Sequence, residues 1–157
     1  MRSRLLAASV LALAVVGPAA VAVAQQATHL DLAAVVNARR DTMKAMKDAM
    51  GELAAMIEEG QNFDAARVAD LAALIELNTE KIPHQFPDGS LIPGSEAKEA
   101  LWEEREEFEK TAGEATVAAK ALADRSALVT EPADLERAFK DVAMSCRACH
   151  KAYRKPF

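Results

Sequence analysis

The last twelve residues of the chain contain both of its cysteines and one of its three histidines. Cys146, Cys149 and His150 form a Cys-x-x-Cys-His sequence. Three kinds of chemistry use thiols at this spacing: a redox dithiol, part of a zinc site, and the covalent attachment of a haem. The helices around the motif help to distinguish between them.

The predicted position of the motif on its helix argues against a reactive dithiol. An attacking cysteine of the thioredoxin type lies at a helix N-terminus, where backbone amides stabilise the thiolate. Pro132 predicts a helix start fourteen residues before Cys146, so both cysteines lie toward the negative end of that helix. A structural zinc site needs four ligands, and His29 and His84 are too distant in the sequence to complete the cluster.

A helix places the three side chains of the motif on one face. With about 100° of rotation per residue, Cys146, Cys149 and His150 fall within an arc of about 100°. Both sulfurs can then form thioethers with one macrocycle, and the imidazole can reach its iron. The motif therefore favours the attachment of one haem c.

The first 24 residues differ in composition from the rest of the chain. A basic start is followed by the apolar run LLAASVLALAVV and by AVA before Gln25. We expect residues 1–24 to be a cleaved signal peptide, which leaves residues 25–157 as one mature domain in the periplasm. An uncleaved membrane anchor is the alternative, because residues 5–24 are apolar throughout. Gly17 and Pro18 interrupt that run and favour cleavage.

The excess of acidic over basic side chains limits the kinds of partner that the chain can bind. Removal of Arg2 and Arg4 takes the formal net charge from −5 to −7, which argues against a nucleic-acid partner. Two cysteines three positions apart cannot close a useful disulfide framework. The thiols therefore serve another purpose.

Apolar residues repeat at intervals of three and four along four segments, which predicts four amphipathic helices. The first runs from Leu32 to Ile57, with Arg39 in its apolar seam, and the second covers residues 64–81 with Asp64 as its N-cap. The third is predicted from Ser95 to about residue 124, and the fourth from an N-cap at Thr130. No segment alternates with period two. We therefore predict an all-α, antiparallel up-down-up-down four-helix bundle, with the haem near the C-terminal end of the fourth helix.

Three segments make the chain resemble the class II cytochromes c, the family that includes cytochrome c′. They are the Cys-x-x-Cys-His motif followed by KAYR, the first-helix segment RRDTMKAMKDAMGELAAMI, and AKEALWEEREEF with Trp102 and Phe108. The resemblance covers essentially all of residues 30–157. It implies an electron carrier or a gas-binding protein with one covalent haem, and homodimers are common in such a family.

The bundle topology predicts which residues border the haem. The end of the fourth helix lies beside the start of the first and third helices and the end of the second. Arg39, Met43, Trp102 and the loop 83–95 should therefore surround the site. We predict that Arg39 binds a haem propionate, as the resemblance implies. A guanidinium that reaches solvent or pairs with a carboxylate is the alternative. The resemblance also places Arg154 near the proximal ligand.

Met43 decides between two functions. If its sulfur binds the iron opposite His150, the haem is low-spin and suits electron transfer. If Met43 only packs, as methionines in a stripe commonly do, the iron is five-coordinate and can bind nitric oxide or carbon monoxide. We favour ligation and an exported electron carrier, with His84 as a rival ligand. An enzymatic, peroxidase-like site is not favoured, since no distal His-Arg pair is evident on the first helix.

Basic residues surround the motif in an otherwise acidic chain. They can interact with the negative end of the helix, or they can dock a periplasmic redox partner with an acidic surface; the four are Arg147, Lys151, Arg154 and Lys155.

Overall fold

The computed structural model describes residues 31–156, and the predicted signal peptide, the cleavage position and His29 lie outside this range. The described chain is all-α. Its helices are α1 (Leu32–Ile57), α2 (Ala65–Lys81), α3 (Ala100–Glu103), α4 (Arg105–Ser126) and α5 (Glu136–Tyr153), with 3₁₀ turns at Ile82–Gln85 and Pro132–Leu135. The long helices α1, α2, α4 and α5 form the predicted four-helix bundle. Within residues 31–156, no helix has both the length and the hydropathy to cross a membrane.

The first two helices follow the sequence prediction closely. The Asp31 carboxylate caps α1 by accepting hydrogen bonds from the amides of residues 33 and 34. Asp64 caps α2 in the same way, through the amides of Ala66 and Arg67 at 2.9 and 3.1 Å. These side chains satisfy amides that have no partner inside a helix, so both starts are defined locally.

The starts of the third and fourth bundle helices differ from the prediction. Ser95 does not cap a helix, because its buried hydroxyl accepts hydrogen bonds from Arg39 and from the Ala97 amide. The third bundle helix begins instead at Ala100 and is interrupted at Glu104, where φ is −110° and ψ is 44°. Thr130 is not an N-cap either: a 3₁₀ turn precedes α5, and no side chain caps that turn. Both cysteines still lie toward the C-terminal end of α5.

The core consists of two clusters. The larger cluster joins all four long helices through residues such as Leu53, Ile75, Leu122 and Phe139. The smaller cluster includes Met46, Phe86, Leu101, Phe108 and Tyr153, and Cys149 packs against it. The smaller cluster therefore lies at the end of the bundle that carries the Cys-x-x-Cys-His motif.

Candidate haem-binding site

A cavity of about 590 Å³ lies between α1, α5 and the segments that follow α2. This volume is within the range of about 300–1,000 Å³ that is typical of small-molecule and cofactor sites. Six apolar or aromatic side chains contribute to its wall: Val36, Ile82, Phe86, Leu101, Phe108 and Tyr153. Met43 on α1 and Cys149 and His150 on α5 also line it, so the cavity joins residues that the sequence separates by about a hundred positions.

The two cysteines lie on the inner side of α5, and both are half-buried. Cys149 lines the cavity, whereas Cys146, one turn earlier, packs against the larger core cluster. Burial raises the pKa of the Cys149 thiol to about 11, and the neighbouring Cys146 contributes to this increase. Burial also raises the pKa of Cys146. A reactive dithiol requires a lowered thiol pKa, so these surroundings do not favour that hypothesis.

His150 lies in the last turn of α5, is an exposed residue and lines the cavity. Partial burial lowers the pKa of His150, the positive charge of Arg154 lowers it further, and Glu96 partly opposes both effects. These effects favour the neutral imidazole, which is the form that binds a metal. His150 is therefore the candidate for an axial ligand on α5, since it lines the cavity and its surroundings favour the neutral ring.

The methionines of α1 face different parts of the interior. Met43 is half-buried and lines the cavity across from α5. Met46 is buried in the smaller core cluster, while Met50 packs against the larger one. His84 is exposed and does not line the cavity. Of the two sixth-ligand candidates on the described chain, only Met43 is thus brought into the same cavity as His150.

Arg39 is only 4% exposed, so it does not reach solvent. One terminal nitrogen donates to the Ser90 hydroxyl at 3.0 Å, and the other donates to the Ser90 carbonyl at 2.8 Å and the Ser95 hydroxyl at 2.7 Å. The guanidinium also stacks over the Phe86 ring, 4.7 Å from its centroid. Burial lowers the pKa of Arg39, although an arginine remains charged at neutral pH. These contacts hold a positive charge at the cavity wall.

Trp102 does not line the cavity. Its indole nitrogen donates to the Pro87 carbonyl at 3.2 Å, and its ring meets Phe86 edge-on with centroids 6.2 Å apart. Phe86 does line the cavity and also contacts Phe108, at 5.3 Å between ring centroids. Trp102 therefore supports a wall residue instead of forming the wall.

The sequence analysis did not single out Phe86, which lines the cavity, or Arg105, which holds the loop that carries Phe86. The Arg105 guanidinium donates to the carbonyls of Phe86 and Pro83, both at 2.8 Å, and so fixes the loop that carries Phe86. The only available signal was an aromatic residue inside a loop already predicted to border the site. Arg105 had no sequence signal, because its partners are backbone carbonyls.

Positive charge dominates the rim of the cavity. Arg154 lines the cavity and pairs with Glu96 at 2.7 Å, which lowers the pKa of that carboxyl. Glu96 is accompanied on the cavity wall by five cationic side chains: Arg39, Arg40, Lys44, Lys47 and Arg154. A haem requires an apolar wall for its macrocycle and cations for its two propionates. The residues present supply both, in addition to a thiol and an imidazole on one helix.

This combination defines the class of protein: a c-type haem protein built on a four-helix bundle. The family described as cytochrome c′ matches residues 34–154. Cytochrome c-556 of Agrobacterium fabrum is 35% identical over 119 residues, which cover 76% of this chain and 80% of that protein. Cytochrome c′ of Pararhodospirillum photometricum is 34% identical over 126 residues, which cover 78% of this chain and 97% of that protein. The crystal structure of cytochrome c′ from Thermochromatium tepidum superimposes with a TM-score of 0.74 at 26% identity, over 81% of this chain and 98% of that one.

The chain belongs to the cytochrome c′ family of class II cytochromes c. Members of this family bind one covalent haem c through a C-terminal Cys-x-x-Cys-His motif. They are periplasmic proteins that carry electrons or bind gases, and they are not enzymes. These findings confirm the predicted fold, cofactor and non-enzymatic class.

Proposed function

We propose that this protein carries electrons in the periplasm, with the haem iron bound by His150 on one side and by Met43 on the other. The observation that supports this most is that Met43 on α1 and His150 on α5 line one cavity. Histidine and methionine ligation gives c-type haem a low-spin state and a raised reduction potential, which suit electron transfer.

The remaining residues have distinct proposed roles in this function. Cys146 and Cys149 attach the cofactor through thioethers, and the apolar wall excludes water, which also affects the potential. The Arg39 guanidinium forms an ion pair with a haem propionate. A guanidinium has five N–H donors, and the three hydrogen bonds to Ser90 and Ser95 leave two for such a partner. Trp102 acts one step away by supporting Phe86, and Arg154 contributes positive charge beside the proximal ligand.

The second candidate is a high-spin protein that binds nitric oxide or carbon monoxide. The apolar cavity wall favours it, because Met43 and Val36 lie two turns apart on one face of α1 and could form a dry pocket for a diatomic gas. The two curated relatives described above carry different names, cytochrome c-556 and cytochrome c′, and their identities to this chain are nearly equal. Substitution of Met43 separates the two candidates.

We expect Met43→Ala to convert a low-spin haem to a high-spin haem. Alanine has no ligand atom, so the iron would lose its sixth protein ligand and the reduction potential would fall. Absorption and electron paramagnetic resonance spectra of the oxidised and reduced protein measure the change. Met50→Ala is the matched control, because Met50 packs against the other core cluster. If Met43→Ala keeps the wild-type spin state, Met43 is excluded as a ligand and the gas-binding candidate is favoured.

The cationic rim supports an acidic redox partner. Arg40, Lys44 and Lys47 on α1 add to the basic residues that the sequence places around the Cys-x-x-Cys-His motif. Oppositely charged surfaces accelerate association, and salt weakens that effect. An anionic oxidant such as ferricyanide should therefore oxidise the reduced protein more slowly as salt increases, despite the net charge of −5 of the whole chain.

Lys47→Glu should lower the rate of that oxidation roughly two- to threefold at low salt, because it reverses one charge on the rim. Stopped-flow absorption measures the rate. Lys120→Glu is the control, since Lys120 lies on α4, does not line the cavity and pairs with Asp124. Equal effects of the two substitutions would show that the net charge, and not the rim, governs the encounter.

The predicted processing and assembly also belong to this proposal. Residues 1–24 would be removed on export, leaving residues 25–157 with one haem, and the mass of the purified periplasmic protein tests this. Dimers are known in the family, and a homodimer of this chain is proposed by that analogy. Sedimentation of the haem-loaded protein measures its oligomeric state.

A further inference from the structure

The C-terminal turn of α5 is completed by a residue from another part of the chain. The last four carbonyls of a helix have no partner inside it. In α5 the His150 carbonyl accepts from the Arg154 amide at 3.1 Å, and Lys98 satisfies the other three. Its ammonium donates to the carbonyls of Lys151 and Ala152 at 2.8 and 3.0 Å, and its amide donates to the Tyr153 carbonyl at 2.8 Å.

The segment that carries Lys98 is anchored on both sides of the cavity. Ala97 pairs with Arg154 in an isolated antiparallel bridge, and the Lys155 amide donates to the Glu96 carbonyl at 2.8 Å. On the other side, Arg39 of α1 donates to the Ser95 hydroxyl at 2.7 Å. Residues 95–98 therefore connect the end of α5 to α1, and the contacts of residues 95–97 hold the backbone beside Lys98 in place.

We propose that Lys98 is a positioning residue for the His150 imidazole, an inference that rests on the proposed role of His150 as the proximal ligand. His150 lies in the turn whose carbonyls Lys98 satisfies. The direction of a helical side chain follows its backbone, so fraying of this turn would change the orientation of the ring. The ammonium also places a positive charge at the negative end of the helix, which stabilises the final turn.

The test compares four variants of the haem-loaded protein. Lys98→Met removes the charge and the side-chain donors, Lys98→Gln removes the charge but keeps a donor, and Lys98→Arg keeps both. Lys110→Met on α4 is the control for loss of an exposed lysine. Two measurements are made on each: the proton NMR shifts of the haem methyl groups in the ferric protein, which report the orientation of the axial imidazole, and the hydrogen exchange of the Arg154 amide.

In Lys98→Met we expect hydrogen exchange of the Arg154 amide to be about tenfold faster, because two charge-assisted hydrogen bonds to the last turn of α5 are lost. We also expect a changed spread of the haem-methyl shifts. Lys98→Arg should restore both measurements, and Lys110→Met should change neither. If Lys98→Met does not accumulate with haem, the comparison of Lys98→Gln with Lys98→Arg carries the same test.

Two results would overturn the inference. Methyl shifts that stay at their wild-type values while exchange accelerates would show that Lys98 caps the helix without orienting the ligand. Unchanged exchange would show that it does not hold the turn. Failure of the proposed function is recognised separately: wild-type and His150→Ala proteins with identical haem spectra would mean that His150 is not the ligand, whatever Lys98 does.

Discussion

Replacement of both Cys146 and Cys149 by serine is expected to abolish covalent haem attachment completely. A hydroxyl does not form the thioether that a thiol forms with the macrocycle, so acidified acetone should extract all of the haem. The mass of the purified polypeptide would then equal that of its amino acids alone. Any haem retained by the cavity would be held by noncovalent contacts with the apolar wall and the rim cations and by the proposed ligands His150 and Met43.

Substitution of Cys146 or Cys149 alone by serine tests the role of each thiol separately. Cys149 lines the cavity, whereas Cys146 packs toward the larger core cluster, yet either remaining thiol can form one thioether. Each single variant should therefore retain covalent haem with an altered absorption maximum, and Ser145→Ala, a neighbouring change outside the motif, should behave as the wild type. Covalent haem in the double variant would refute the attachment that the motif predicts.

The architecture was predictable because it depends on patterns that are local in sequence. Apolar residues every three or four positions determine a helix and its buried face, and Asp64 caps α2 through amides two and three residues away. The Cys-x-x-Cys-His motif is local in the same sense. Given these elements and short connections, the bundle topology brings the start of α1 to the end of α5, which is where Met43 and His150 are found.

The error at Ser95 and the two cations that the sequence did not mark involve side chains whose partners are distant in sequence. Ser95 has the composition of an N-cap, but its hydroxyl is hydrogen-bonded to Arg39, 56 residues earlier. Arg105 and Lys98 resemble ordinary surface cations in the sequence, whereas both donate to backbone carbonyls of other segments. Carbonyls are present at every residue, so no residue type marks them as partners. Such contacts emerge only once the chain is folded.

We expect Arg39→Met to lower the free energy of unfolding of the haem-loaded protein by about 3 kcal/mol. The substitution leaves the buried Ser90 carbonyl without a donor, and an unsatisfied buried group costs about 1–3 kcal/mol. It also removes one hydrogen bond from each serine hydroxyl, although the Ser90 hydroxyl still donates to the Pro87 carbonyl and the Ser95 hydroxyl still accepts from the Ala97 amide. It also removes the stacking over Phe86. Methionine restores part of the loss through apolar burial. Urea denaturation followed by fluorescence and haem absorption measures the change.

Arg137→Met is the control, because Arg137 carries the same charge, is exposed and does not line the haem cavity. Its effect should stay within about 0.5 kcal/mol, as is usual for a surface substitution. Combining Arg39→Met with Ser95→Ala separates the hydrogen bond from the charge. The two changes should cost roughly 1–2 kcal/mol less together than the sum of their separate effects, since either change alone already removes the hydrogen bond between the two side chains. Strictly additive effects would mean that Arg39 does not hold the loop through Ser95. Its stabilising role would then come from the two hydrogen bonds to Ser90, the stacking over Phe86 and the proposed propionate contact.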